Sequence, residues 1–171
     1  MSFVKYVNNG YFDSYTLEDG VQYCMKGCYK NLYVSFGANS YNIQSVISSM
    51  ENVKRGFNNN SGKQMHHFVI SIHPYKRMEK DRKIRYATLI LYDIGNYFLR
   101  KGFQSIGVIH VNQDVNVFNK GILDYEENVH IHFLVNSVSF FDGRKLHNVY
   151  KIKNELIHNL KQEYRQLNWQ N

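Results

Sequence analysis

The sequence contains few of the residues that mark secreted, membrane-spanning or multidomain proteins. Its 171 residues include only two cysteines, Cys24 and Cys28, too few for a secreted disulfide framework. The single proline, Pro74, leaves no proline-rich linker between domains. No stretch approaches the roughly 18 uninterrupted apolar residues of a membrane span, and the N-terminus lacks the layout of a signal peptide. We therefore expect a cytoplasmic protein that forms one domain over residues 1–171.

The composition is that of a folded, basic protein. Hydrophobic residues make up 43% of the chain and aromatic residues 15%, well above the content of disordered chains. There are 21 Lys and Arg against 14 Asp and Glu, a net charge of +7 that favours nucleic acid or an anionic membrane as partner.

Cys24 and Cys28 are four residues apart, so we expect reduced core residues on one helix face. The alternative, half of a metal site, lacks a second cysteine pair.

Hydrophobic periodicity predicts the element order β, α, β, α, β, α, β, β, α. A helix is expected from near Thr16, and a second one, capped by Ser40, through about Arg55. Gly102 is expected to end the third helix. The expected strands are 3–7, 32–36, 68–72, 106–111 and 129–138. A fourth helix is expected from about Val149. The positions expected to be buried in the four helices, in chain order, are Leu17, Val21, Cys24 and Cys28; Ile43, Val46, Ile47 and Met50; Ile84, Ala87, Leu91, Ile94 and Phe98; and Ile152, Leu156, Leu160, Tyr164 and Leu167.

Three histidines stand where one metal ion could be bound. His130 and His132 alternate on a predicted strand, so both imidazoles face the same way. His110 ends the preceding predicted strand, and antiparallel pairing would bring it to the same ion. Three imidazoles leave coordination positions open, as a catalytic site requires. The remaining histidines have no partner at ligand spacing and are expected to be structural: His66, His67, His73, His147 and His158.

The segment from His130 to His147 resembles the third motif of plasmid and transposon mobilisation relaxases. In that family, the MobA/MobP type of the HUH endonuclease superfamily, His-Ile-His leads a hydrophobic strand, then Asn-Ser-Val and a turn with Gly-Lys-Lys. This chain reads HIHFLVNSVSFFDGRKLH there. Weaker matches are residues 68–74, and Gly102-Phe103-Gln104 before the strand that ends in His110. The resemblance covers about residues 1–148.

The resemblance implies an α+β fold with a central antiparallel sheet flanked by helices. It also implies that the protein nicks and rejoins DNA at an origin of transfer. The nucleophile would be Tyr23, which forms a covalent 5′-phosphotyrosine. His110, His130 and His132 would bind a divalent metal, Mn²⁺ or Mg²⁺, with Zn²⁺ as another candidate. The implied partners are single-stranded DNA or an origin-of-transfer hairpin, accessory relaxosome proteins and a coupling protein. Relaxases usually extend past the nuclease domain, so the chain is either a truncation or a minimal form.

Two features depart from the family pattern. Asn112 stands where the family usually has an acidic residue, two positions after the first histidine. The role of that acidic residue in orienting His110 is therefore either lost or taken by Asp114. The 19 residues between His110 and His130 are more than usual. They predict an extra loop or hairpin from Asn112 to Glu127.

Other tyrosines and other classes of protein also fit parts of this sequence. Tyr15 and Tyr11 compete with Tyr23, and in a replication initiator or single-tyrosine transposase of the same superfamily the nucleophile would follow the histidines, as Tyr150 or Tyr164. A small-molecule enzyme of cupin type would have glutamate a few residues after the second histidine, where Asn136 and Ser137 stand. A non-catalytic nucleic-acid-binding module is the third alternative.

A run of cations supplies the candidate DNA-binding surface. Six basic residues occupy ten positions, enough to neutralise several phosphates. Glu79 and Asp81 lower the net positive charge of this segment. Such a run of cations is ordinarily the solvent-exposed face of a helix. The six are Lys76, Arg77, Lys80, Arg82, Lys83 and Arg85.

Overall fold

The structure is a computed structural model that describes residues 1–7, 17–74, 76–117 and 123–170, with the backbone alone for 113–117 and 123–127. Its element order is the α+β order that the sequence predicts, including the strand near residue 32. The elements are β1 (Phe3–Val7), α1 (Leu17–Met25), β2 (Cys28–Phe36), α2 (Ile43–Gly56), β3 (Met65–Ile72), α3 (Lys80–Arg100), β4 (Ser105–Val117), β5 (Leu123–Asn136) and α4 (Val149–Glu163).

The strands form one antiparallel sheet in the order β1-β3-β5-β4-β2, which confirms the predicted fold class. β4 and β5 pair from Ser105 opposite Val135 to Val117 opposite Leu123. They therefore form the extra hairpin that the long spacing predicted. His110 lies in the middle of β4, not at the strand end expected from the sequence, because this hairpin continues the pairing beyond it. The neighbouring strands β2 and β3 do not follow that extension.

Alternation along β5 gives the sheet two different faces. Ile131 and Phe133 belong to the core cluster that includes the buried stripe of α3 and α4. Leu134 belongs to a second cluster with the buried residues of α1 and α2. His130 and His132 have the same parity as Leu134, so they lie on the α1 and α2 face. The sheet thus separates a histidine face from a face covered by α3 and α4.

The start of α2 differs from the prediction by two residues. Asn42, not Ser40, caps the helix: its side chain accepts a hydrogen bond from the Ser45 backbone N–H at 2.8 Å. The Ser45 hydroxyl accepts one from the Asn42 backbone N–H at 2.9 Å. Three residues after Ser40 the chain has Ile43, which offers no side-chain acceptor, so the reciprocal cap forms at Asn42.

The end of α1 also differs from the prediction. The buried stripe contains Leu17, Val21 and Cys24, as expected, but Cys28 is not part of it. The helix ends at Met25, and Cys28 is the first residue of β2, where it pairs with His110. The backbone turns at Gly27, which packs directly against the His110 ring. By contrast, α3 ends as predicted, with Gly102 at a φ of +81° shortly after its last residue.

Among the helices of the described residues, none has the length and apolar character needed to cross a membrane.

Candidate active site

Three imidazoles converge on the α1 and α2 face of the sheet. His110 and His130 lie directly opposite each other in the β4–β5 ladder, and His132 follows on the same face of β5. The ring centroids are 4.2 Å apart for His110 and His132, and 5.2 Å apart for each of the other two pairs. One ring nitrogen from each residue lies within 4.8 Å of the others, so small side-chain rotations could place all three on one ion.

Backbone from the end of α1 holds the His110 ring in place. The Nε2 of His110 lies 2.6 Å from the Cys24 carbonyl oxygen. Because a carbonyl only accepts hydrogen bonds, this nitrogen must carry the proton, which leaves the lone pair on Nδ1. On another side, a Cβ added to Gly27 would lie only 2.5 Å from Cε1 of the ring. Only glycine allows the chain to pass this close to the ring.

His67 is a member of the site that the sequence analysis did not predict. It lies on β3, on the histidine face, and its Nε2 is 2.9 Å from Nδ1 of His132. A hydrogen bond at this distance fixes the orientation of the His132 ring and leaves Nε2 of that ring for a ligand. His67 is 65 residues from His132 in sequence. The spacing of residues in the sequence does not reveal this contact, because the pairing of β3 with β5 cannot be predicted from one sequence.

Burial favours the neutral form of three imidazoles at this site, those of His67, His110 and His132. Burial lowers the pKa of His132 to about 3, with the nearby His110, His67 and His130 acting in the same direction. Burial, followed by the charge of His110, lowers the pKa of His67 to about 4. Burial also lowers the pKa of His110, and its hydrogen bond to Cys24 opposes that shift. Neutral imidazole is the metal-binding form, so protons do not compete with an ion near pH 7.

Tyr23 is the exposed tyrosine beside this cluster. It lies on α1 next to the buried stripe, with 55% of its surface exposed. Its ring meets that of His132 edge to face, with centroids 6.3 Å apart. The phenol is therefore accessible to a large substrate while its ring contacts one of the three converging histidines.

The later tyrosines lie on the opposite face of the sheet. Tyr150 is 60% exposed and its ring packs against Tyr6, 5.8 Å between centroids. Tyr164 is buried against Tyr86 of α3, and its hydroxyl donates to Asp93. The sheet separates both residues from the histidines. Two other candidates from the sequence, Tyr11 and Tyr15, fall outside the described residues, as does the side chain of Asp114.

The run of cations divides into exposed and buried members. Lys83 is only 3% exposed, so it does not share a surface with the other members. Lys80 is half-buried, with its ammonium 5.1 Å from the centroid of the Tyr29 ring. The four exposed members, which we call the basic segment, are Lys76, Arg77, Arg82 and Arg85.

The basic segment begins at the same end of the sheet as the histidines. β3 ends at Ile72, which pairs with Val129, next to His130. The chain leaves the sheet there and reaches Lys76 and Arg77 within a few residues, before α3 begins at Lys80. A strand of nucleic acid bound at the histidines would thus have cations near it.

A comparison with protein-family models assigns most of the chain to a family. A family model described as the MobA/VirD2-like nuclease domain of relaxases matches residues 15–169. The matched span contains Tyr23, the three converging histidines and every strand except β1. No curated protein and no solved structure matches the chain. The chain belongs to the relaxase family as a MobA/VirD2-like nuclease domain, an endonuclease whose family nicks DNA for mobilisation.

Proposed function

We propose that this relaxase domain nicks one strand of DNA at an origin of transfer and rejoins it, with Tyr23 as the nucleophile. The observation that carries the proposal is the contact between the exposed Tyr23 ring and His132, one of three imidazoles that converge on one point. The proposed substrate is single-stranded DNA, with a hairpin, accessory relaxosome proteins and a coupling protein as further partners of the same reaction.

The donor set fits a divalent metal. His110, His130 and His132 offer three imidazole nitrogens, and three protein ligands leave room for a substrate oxygen. Imidazole suits Mn²⁺ or Zn²⁺ better than Mg²⁺, which prefers oxygen ligands, so we propose Mn²⁺ as the first ion to test. A divalent cation held there would polarise a non-bridging phosphate oxygen and offset the charge that builds at phosphorus.

The phenol of Tyr23 supplies the covalent step. Its oxygen forms a bond to the scissile phosphorus, the bond from phosphorus to the 3′ oxygen breaks, and a 3′-hydroxyl leaves. The phenol proton is lost to solvent, and the 3′ oxygen takes up a proton. The phosphotyrosine keeps the energy of the broken phosphodiester, so attack by a 3′-hydroxyl reverses the step and rejoins the strand. Exposure of Tyr23 allows this approach by a large substrate.

The basic segment is the proposed contact for the DNA backbone. Lys76 and Arg77 lie in the loop that leaves β3 beside the histidines, and Arg82 and Arg85 follow on α3. Cations in such positions bind phosphates without regard to sequence and make binding salt-dependent. The segment would therefore strengthen binding of the strand, whereas the choice of site depends on other contacts.

A covalent-adduct experiment tests the nucleophile. The substrate is a set of single strands that tile the DNA beside the coding sequence, incubated with Mn²⁺ and the protein. We expect a denaturation-resistant adduct with the wild type and with Tyr150→Phe, the matched control for an exposed tyrosine on the opposite face. We expect none with Tyr23→Phe, because it lacks the attacking oxygen.

The same experiment tests the rival arrangement. If Tyr23→Phe still forms the adduct and Tyr150→Phe or Tyr164→Phe does not, the nucleophile follows the histidines in sequence, as in a replication initiator or single-tyrosine transposase. Fragmentation of the modified peptide would identify Tyr11 or Tyr15 if either carried the DNA. The position of Tyr150 and Tyr164 behind the sheet favours Tyr23.

A further inference from the structure

A second set of metal-binding side chains lies directly beside the three converging histidines. The Sγ of Cys24 is 4.0 Å from Nε2 of His67, which is 2.9 Å from Nδ1 of His132. The ligand atoms of the three residues all lie within 4.8 Å of one another. They come from α1, β3 and β5, and both Cys24 and His67 are buried. Three elements of the fold thus bring a thiol and two imidazoles together.

The distances and donor types suit a thiophilic ion. Tetrahedral zinc, with bonds of about 2.3 Å to sulfur and 2.0 Å to nitrogen, separates the two ligand atoms by roughly 3.5 Å. The observed 4.0 Å between Cys24 and His67 therefore needs a shift of only a few tenths of an ångström. A thiolate selects Zn²⁺ or a similar soft ion over Mn²⁺ and Mg²⁺. We propose that Cys24, His67 and His132 form a second metal site for Zn²⁺ or Cd²⁺.

Binding at this second site converts the Cys24 thiol into a thiolate. The S–H bond is replaced by a bond from sulfur to the metal, the proton passes to solvent, and no electron is transferred. A cation bonded to the sulfur makes this deprotonation favourable near neutral pH. The site is therefore selective for ions that bind sulfur strongly.

Occupation of the second site competes with the site of the three histidines. His132 belongs to both sets, and a neutral imidazole has one nitrogen lone pair to offer. An ion held by Cys24 and His67 takes that lone pair through Nδ1. The remaining pair, His110 and His130, then lacks its third imidazole. Thiophilic ions are thus inhibitors of a Mn²⁺-dependent reaction. The metal site stands on its own geometry, whereas the inhibition rests on the proposed function.

Cobalt spectroscopy tests the site without any assay of activity. Co²⁺ bound to a thiolate gives a charge-transfer band in the near ultraviolet, and Co²⁺ bound only to imidazoles does not. We expect the band in the wild type, in Cys28→Ser and in His110→Ala, and its loss in Cys24→Ser and Cys24→Ala. Cys28→Ser is the matched control, because it removes the other cysteine of the chain. Circular dichroism establishes that each variant is folded.

Two results would overturn the second site. One is cobalt bound to folded His110→Ala with no charge-transfer band, since that variant lacks the competing set of three histidines, and the other is a band that survives in folded Cys24→Ala. Inhibition is measured separately, as nicking with Mn²⁺ in the presence and absence of Cd²⁺, expressed as a ratio within each variant. We expect about a tenfold or larger loss in the wild type and in Cys28→Ser, and less than about a twofold loss in Cys24→Ala.

The two arms separate the failure of this inference from the failure of the proposed function. A chain that shows the cobalt band but never nicks DNA keeps the second site and refutes the nuclease chemistry. Nicking of DNA with Mn²⁺ by the wild type, together with no thiolate band in cobalt-loaded His110→Ala, keeps the nuclease chemistry and refutes the second site. Cd²⁺ inhibition that persists in Cys24→Ala would contradict competition through Cys24.

Discussion

Replacing Gly27 with alanine should weaken metal binding while the protein stays folded. The new Cβ would lie 2.5 Å from Cε1 and 2.7 Å from Nδ1 of His110. Carbon atoms in contact are ordinarily about 3.5–4.0 Å apart, so the ring must retreat by about 1 Å. The His132 ring, 4.2 Å away between centroids, restricts that movement. Such overpacking costs about 1–3 kcal/mol of folding free energy.

The effect on the metal follows from the same displacement. Metal-ligand distances tolerate changes of only about 0.2 Å, so a shift of about 1 Å removes His110 from the ligand set. We expect the affinity for Mn²⁺ to fall by at least about 10- to 100-fold, because that is the usual effect of losing only a group that orients a ligand. Calorimetric titration measures the affinity, and thermal unfolding measures the stability.

Gly56→Ala is the matched control for this prediction. Gly56 is the last residue of α2, and a Cβ there would meet no atom within 4 Å. Alanine at that position should leave Mn²⁺ affinity unchanged and, if anything, stabilise the helix. If Gly27→Ala binds Mn²⁺ as tightly as Gly56→Ala, then His110 is not a ligand, or Gly27 does not fix its ring.

Three further predictions follow from contacts of the site and its surroundings. His67→Leu removes the hydrogen bond to His132, and we expect a 10- to 100-fold loss of Mn²⁺ affinity in titrations, against full affinity if the bond is irrelevant. Burial lowers the pKa of His66 to about 4 from about 6.5 when unfolded, so the unfolded chain binds more protons between those values. The free energy of unfolding should therefore fall, by up to about 3 kcal/mol, as the pH drops from 6.5 to 4, and denaturant titrations should show a weaker dependence for His66→Gln. Replacing Lys76 and Arg77 together with alanine should reduce the slope of log K against log salt for single-stranded DNA by about 1.4, and an unchanged slope would place the strand elsewhere.

Local sequence patterns predicted the fold because most of its elements follow simple periodicities. The buried positions of α3 recur every three or four residues, from Ala87 to Phe98, and the structure buries them. The length of chain between His110 and His130 predicted the β4–β5 hairpin correctly. In both cases the signal lies within one element or between two neighbouring elements, where a single sequence carries enough information.

Sequence spacing predicts the wrong position for a residue where a tertiary contact decides that position. Helical spacing assigned Cys28 to α1, but the chain turns at Gly27 so that its backbone can pass over His110. The contact between His67 and His132 has no counterpart in the sequence pattern, because it exists only once β3 pairs with β5. Lys83 falls within the run of cations in the sequence, but its position on α3 faces the interior. These errors arise from strand pairing and helix orientation, which sequence spacing does not encode.

An anomalous difference map from a crystal grown with Mn²⁺ is the most direct test of the metal centre. The proposed site predicts one manganese peak bonded, at about 2 Å, to a ring nitrogen of His110, of His130 and of His132. The Tyr23 phenol should border the open side of that ion. A peak bound elsewhere, or one that excludes His110, would contradict it.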